Sequence, residues 1–150
     1  MPRTIDEWQS RIKTVESEFK SARLAVDRLL ADASRDHAIL KPMISLSDVR
    51  QASERLEGTY IVRLFAEFET GLRQFWRTAR RSDTPSRTRD LLDGIAASRQ
   101  IPNDQRINAH KVRTRRNNLI HERDEQSAPI SLVDARGYLC YFLSFLPPNW

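Results

Sequence analysis

Apolar residues over the first third of the chain recur at steps that alternate between three and four: Ile5, Trp8, Ile12, Val15, Phe19, Ala22, Val26, Leu29 and Ala33. That spacing keeps one face of an α-helix apolar. It predicts a helix from about Thr4 to Ala33, a rod roughly 40 Å long. Thr4 and Glu7 stand at capping-box spacing at its start. Such a rod needs neighbours of similar length, so a bundle is implied. Pro42 interrupts the next stretch, 34–45, where His37, Ile39, Leu40 and Met43 are available for local packing. Ser45 or Ser47 then caps a second helix expected from Asp48 to Arg80, with Asp48 in its first turn. Its stripe is Val49, Leu56, Tyr60, Leu64, Phe68, Leu72, Phe75 and Ala79. Ile61, Phe65 and Trp76 widen it, as expected of a helix with more than one neighbour. Gly58 and Gly71 each cost about 1 kcal/mol of helix propensity, and either is suited to a close helix crossing.

The stretch 80–87, RRSDTPSR, reads as a polar linker. A short helix is expected over Thr88 to Ser98, with Leu91, Leu92, Ile95 and Ala96 facing inward. A turn follows around Pro102. Asn103 or Asp104 caps a fourth helix that runs to about Leu119 or His121. This one has little apolar surface: Ile107, Val112, Leu119 and Ile120. Residues 122–129 form a polar loop. Ser131 and Asp134 have capping-box spacing and open a last helix carrying Leu132, Val133, Leu139, Tyr141, Phe142, Phe145 and Leu146, which Pro147 and Pro148 end. No segment alternates with a period of two, and no repeat is visible. The expected architecture is all-α: an up-and-down bundle of four to five helices, forming a single domain over 1–150. The apolar surface exceeds what one small bundle needs, which points to a homodimer.

Composition narrows the picture. A chain of 150 residues that is 39% hydrophobic with only four glycines is neither disordered nor low in complexity. No apolar run approaches the roughly 20 residues needed to span a bilayer. The opening MPRTIDEW lacks the apolar core of a secretory signal, so a cytoplasmic location without membrane attachment is expected. The lone Cys140 lies in an apolar run and reads as a buried small hydrophobe. A net charge of +5 favours a polyanionic partner such as RNA only weakly. Its distribution says more. Six arginines face one aspartate between Arg73 and Arg89, and four arginines and a lysine face one glutamate between Lys111 and Arg123.

The segment Lys111–Arg123, KVRTRRNNLIHER, holds the candidate chemistry. There is no glycine-rich phosphate loop, no HExxH and no Cys/His cluster, so neither a cofactor nor a metal is expected. Arg116, Asn117, Asn118 and His121 suit a phosphodiester. Histidine exchanges protons near neutral pH. Arginine grips phosphate and stabilises charge gained in a transition state. Asparagine can orient either. With RNA the 2′-hydroxyl is an internal nucleophile. The competing reading is a basic helix end, with Arg and Asn solvated and His121 capping a carbonyl. On an ideal wheel His110, Asn117 and His121 lie within about 40° of one another, but Arg116 is about 140° from His121. The two converge on one ligand only if the helix frays after Ile120 or a second chain supplies half the site.

Arg116-Asn117-Asn118-Leu119-Ile120-His121, at the end of the helix before the last, resembles the R-N-x-x-x-H form of the motif of the HEPN superfamily (higher eukaryotes and prokaryotes nucleotide-binding). The long helix through 60–69, YIVRLFAEFE, is similar to that family's second core helix. The resemblance implies a dimer whose two motifs share one groove across the two-fold axis. It implies a metal-independent endoribonuclease leaving a 2′,3′-cyclic phosphate, often a toxin or a phage-defence effector. Arg116 and His121 would then be catalytic and Asn117 supporting, and an antitoxin or defence partner is possible. Inactive members of the superfamily are binding modules for RNA, nucleotide or protein, and this is the alternative. A toxin branch carries a modified Tyr two residues after the His, where this chain has Arg123. Around the motif, Arg113, Arg115, His110, Lys111 and Arg123 are the candidate RNA contacts. His110 also reads as an ordinary polar histidine. Glu67 and Glu69 are placed to anchor Arg116 or to face solvent, and Asn118 is a supporting candidate.

Overall fold

A computed structural model describes residues 1–121 and 128–150. Five helices form an all-α up-and-down bundle: α1 (Ile5–Arg35), α2 (Leu46–Arg80), α3 (Thr88–Ser98), α4 (Asn103–His121) and α5 (Leu132–Leu143). No strand occurs among the described residues. An isolated antiparallel bridge joins Thr4 to Asn149.

Local chemistry sets the helix starts. The Thr4 hydroxyl accepts from the Glu7 amide while the Glu7 carboxylate accepts from the Thr4 amide, closing the expected capping box. Ser45, rather than Ser47, caps α2 in the same reciprocal way with Asp48. Ser131 accepts from the Asp134 amide at the start of α5. At α4 neither Asn103 nor Asp104 stands outside the helix as its cap. Asn103 is the first helical residue, the Pro102 carbonyl accepts from Gln105 and Arg106, and the Asn103 side-chain oxygen accepts from the Arg106 guanidinium. A 3-10 turn over His37–Leu40 joins α1 to α2 and ends just before Lys41 and Pro42. Only Leu40 of that connection is buried. Ile39 and Met43, available for packing on the pattern, are exposed.

The main core lies at one end of the α1–α2 hairpin. It takes Trp8, Ile12 and Val15 from α1, Ile61 to Phe75 from α2, and the inward faces of α3, α4 and α5. Phe68 meets Phe142 of α5 edge to face. At both α2 glycines a side chain from a neighbouring helix sits close to the backbone. A methyl on Gly71 would lie 3.0 Å from the Trp8 ring, and one on Gly58 would lie 2.9 Å from Leu119. The far end of the hairpin has its own small cluster of Ala33, Leu40 and Val49. Pattern and burial part company on the outer faces, where Leu29, Ala79, Val133 and Tyr141 are exposed. Trp8 is wholly buried, Trp76 half-buried, and Trp150 packs edge-on against Phe75. Cys140 is buried, and that burial pushes its thiol pKa up.

Polar groups tie α5 into this frame. The Glu57 carboxylate of α2 accepts from the Leu132 amide at 2.8 Å, as an anion at a helix N-terminus does. Glu16 of α1, itself buried, accepts from Arg136 of α5 at 2.6 Å and lies 2.7 Å from Lys20. No helix among the described residues is long and apolar enough to cross a membrane.

Candidate functional site

α4 carries the candidate residues because almost none of it is needed for the core. Only Ala109 and Val112 are buried, with Leu119 half-buried against α2. Its helical conformation persists through His121. With no unwinding before that residue, Arg116 and His121 stay about 140° apart around the axis. A single chain therefore does not bring them to one point.

Arg116 turns toward the bundle. Its guanidinium lies 5.9 Å from the centroid of the Phe65 ring of α2, a cation–π contact. One terminal nitrogen, Nη1, donates to Asn117 Oδ1 at 2.9 Å. Its Nε is buried without a hydrogen-bond partner. Arg116 is thus bonded to its sequence neighbour Asn117. His121 is exposed on the other side.

The two carboxylates that are candidates either to anchor Arg116 or to face solvent are engaged elsewhere. Glu69 Oε1 accepts from Arg73 at 2.8 and 3.1 Å and from Thr88 at 2.7 Å. Glu67 lies 3.3 Å from Arg11 of α1. On α2 the side chain of residue 69 meets its own helix four residues on, and that of residue 67 meets α1, so neither is spent on α4. Arg113, Arg115 and Arg116 are all half-buried, and among the described residues none is within ion-pair distance of a carboxylate. Burial, then the charge of Arg89, lowers the Arg113 pKa, and Asp93 partly offsets this.

His110 is held rather than free. Its Nε2 is 2.8 Å from Asp93 Oδ1 of α3, and its Nδ1 accepts from Arg113 Nε at 3.2 Å. Because the guanidinium only donates, the ring is the Nε2–H tautomer, donating to Asp93. Both nitrogens are used, so His110 has no ring nitrogen to offer RNA in this arrangement. Arg106 donates to the same carboxylate oxygen at 3.1 Å. Burial by itself would raise the Asp93 pKa, but His110 and Arg106 outweigh it and hold the carboxyl below its ordinary value. Asp93 is the residue sequence reasoning missed. It is seventeen positions from His110 on a different helix, and no motif spacing spans that gap.

Lys111 is exposed at the start of the segment, and Asn118 is half-buried on the same side of α4 as His121. Arg123 lies outside the described residues. A cavity of about 500 Å³ opens beside α4, walled by Ile107, His110, Lys111 and Thr114 on one side and by Pro129, Ile130 and Tyr138 on the other. Among the described residues, no group of three or more His, Cys, Asp or Glu is placed to hold a metal ion. No family model matches the chain, and neither a curated protein nor a solved structure matches it.

Proposed function

We propose that this chain is an endoribonuclease that cleaves RNA without a metal, in a toxin or phage-defence setting. The observation that carries the reading is the set of three arginines on α4, Arg113, Arg115 and Arg116. All three are half-buried, and among the described residues they have no carboxylate partner. Partly desolvated cations without an ion-pair partner suit a phosphate as counter-charge. The motif resemblance and the exposed His121 supply the rest. In the reaction the 2′-oxygen attacks phosphorus and loses its proton, and the bond from phosphorus to the 5′-oxygen breaks. The 5′-oxygen gains a proton, leaving a 2′,3′-cyclic phosphate and a 5′-hydroxyl. His121 moves a proton in this exchange. Arg116, steadied by Asn117, takes the charge building on the phosphoryl oxygens.

The divergence of Arg116 and His121 places a requirement on this reading: two chains must form the site, with the arginine of one facing the histidine of the other. Cleavage of RNA in EDTA is the test. Wild type should give cyclic-phosphate ends, and Arg116→Ala and His121→Ala should each lower the rate at least a hundredfold. Equal rates in all three would remove the assignment. Mixing the two inactive variants addresses the shared site. Random pairing gives half heterodimers with one intact site in two, so about a quarter of wild-type activity should return.

The same divergence favours one alternative, a non-catalytic module that binds RNA, nucleotide or protein through the arginines of α4. It predicts salt-sensitive RNA binding, and the absence of a cyclic-phosphate product distinguishes it.

A further inference from the structure

The cavity beside α4 lies on the helix face that carries Asn117, Asn118 and His121, opposite the face of Arg116. Ile107, His110, Lys111 and Thr114 wall the cavity at steps of three and four. The same progression continues through Asn117 and Asn118 to His121. Thr114 and His121 are two turns apart, about 10 Å along the axis. The opposite wall is carbon-rich: Pro129, Ile130 and the Tyr138 ring. Since both ring nitrogens of His110 are bonded to Asp93 and Arg113, it adds mainly carbon surface as well. Three polar side-chain groups remain, the Lys111 ammonium and the Thr114 and Tyr138 hydroxyls. Among the described residues none of them has a hydrogen-bond partner.

We propose that this cavity is a recognition subsite for one unpaired nucleobase of a single-stranded RNA, with Lys111 on the adjoining phosphate. The inference deepens the ribonuclease reading and rests on it for the role of His121. Its volume is in the range of about 300–1,000 Å³ typical of small-molecule sites, which suits a base with its sugar and excludes a folded element. A phosphate alone would leave the carbon walls unfilled. An uncharged apolar ligand would make no use of Lys111. A base carries a flat apolar face for Tyr138 and the aliphatic wall, with polar edges for Thr114, and it comes attached to a phosphate. A duplex keeps its bases stacked inside, so duplex RNA is excluded from the slot.

The test uses a fluorescent single-stranded octamer carrying 2′-O-methyl groups, which removes the internal nucleophile, and the same backbone with every base deleted. Wild type should bind the base-containing octamer about tenfold more tightly than the abasic one. Thr114→Trp fills the cavity from an exposed position, and Ile107→Trp does so from a second one. Each should reduce octamer affinity to the abasic level and leave abasic affinity unchanged, with helicity by circular dichroism confirming the fold. Equal binding of both octamers by wild type, or a base preference that survives both substitutions, overturns the proposal. Ordinary RNA of the same sequence is then incubated in EDTA. If it stays intact while the base preference holds, the ribonuclease reading fails and the subsite stands.

Discussion

Gly71 and Gly58 show how one atom decides the sign of a substitution. At Gly71 an added methyl would meet the Trp8 ring at 3.0–3.4 Å, and that ring is wholly buried with nowhere to turn. Gly71→Ala is expected to destabilise by about 1–3 kcal/mol despite its gain in helix propensity. At Gly58 the near atom is the free end of Leu119, a half-buried side chain that can rotate. Gly58→Ala is therefore expected to be near neutral, the gain of about 1 kcal/mol offsetting the repacking. Paired urea unfolding curves check both, and similar losses at the two sites would contradict this account. Both glycines were legible as points of close approach, but not which neighbour each would meet. Glu16 was not legible at all, because it stands off the apolar stripe and its partner Arg136 is 120 positions away. Lys20 first, and then Arg136, hold its pKa below the ordinary value against the opposing effect of burial. A lowered folded pKa means stability present above the unfolded value and lost as pH falls through the folded one. Glu16→Gln should thus cost about 1–2 kcal/mol at pH 7. The difference from wild type should shrink as pH falls below about 4.5. Unfolding at pH 7 and pH 3 measures it.

At the scale of an element, α4 differs from its neighbours in how it is held. The other helices bury apolar stripes; α4 buries Ala109 and Val112 and otherwise relies on polar ties. The tie to α3 is the Asp93 carboxylate, which takes hydrogen bonds from His110 and Arg106 on successive turns. Removing that carboxylate leaves Arg106 and His110 without it, yet the site is only part-buried. Asp93→Ala is expected to cost about 1–2 kcal/mol. Its more specific effect should be on α4: amide exchange around 106–113 should speed up while that in the middle of α2 is unchanged. Uniform acceleration through the chain would show that Asp93 acts on the whole fold instead. The basic character and the motif of α4 could be read from sequence because they lie within one helix. The positions of Asp93, Tyr138 and the carboxylates of Glu67 and Glu69 could not, since each depends on how separate helices meet. Glu69 illustrates the limit. From sequence it was one of two possible anchors for Arg116, but Arg73, four residues along its own helix, and Thr88 reach it first.

At the scale of the whole molecule, helix length controls where stability resides. α1 and α2 have 31 and 35 residues, whereas α3 and α5 have 11 and 12. At 1.5 Å per residue the long pair reaches nearly 50 Å and the short ones less than about 20 Å. The apolar period along α1 was correctly read as that of a packed rod, but the bundle supplies one partner of matching length, not several. Beyond Phe19 and Tyr60, whose rings still touch at 5.7 Å, α1 and α2 have chiefly each other to pack against. That outer part is held by the small cluster of Ala33, Leu40 and Val49, by Arg23 bonding Ser53, and by the Ser45–Asp48 cap. Segments with little buried apolar surface open at lower free energy than the core they extend from. Amides over roughly 26–55 should therefore exchange by a local opening, well before those of 61–75. Leu40→Ala is the decisive variant. Leu40 is 6% exposed and belongs to the outer cluster alone. Its truncation, worth about 2–5 kcal/mol for a buried leucine in a continuous core, should appear as faster exchange confined to the outer hairpin. The main thermal transition should move little. If that transition falls in step with the outer amides, the two clusters are one cooperative unit, and the hairpin is as firmly built as the end that carries α4.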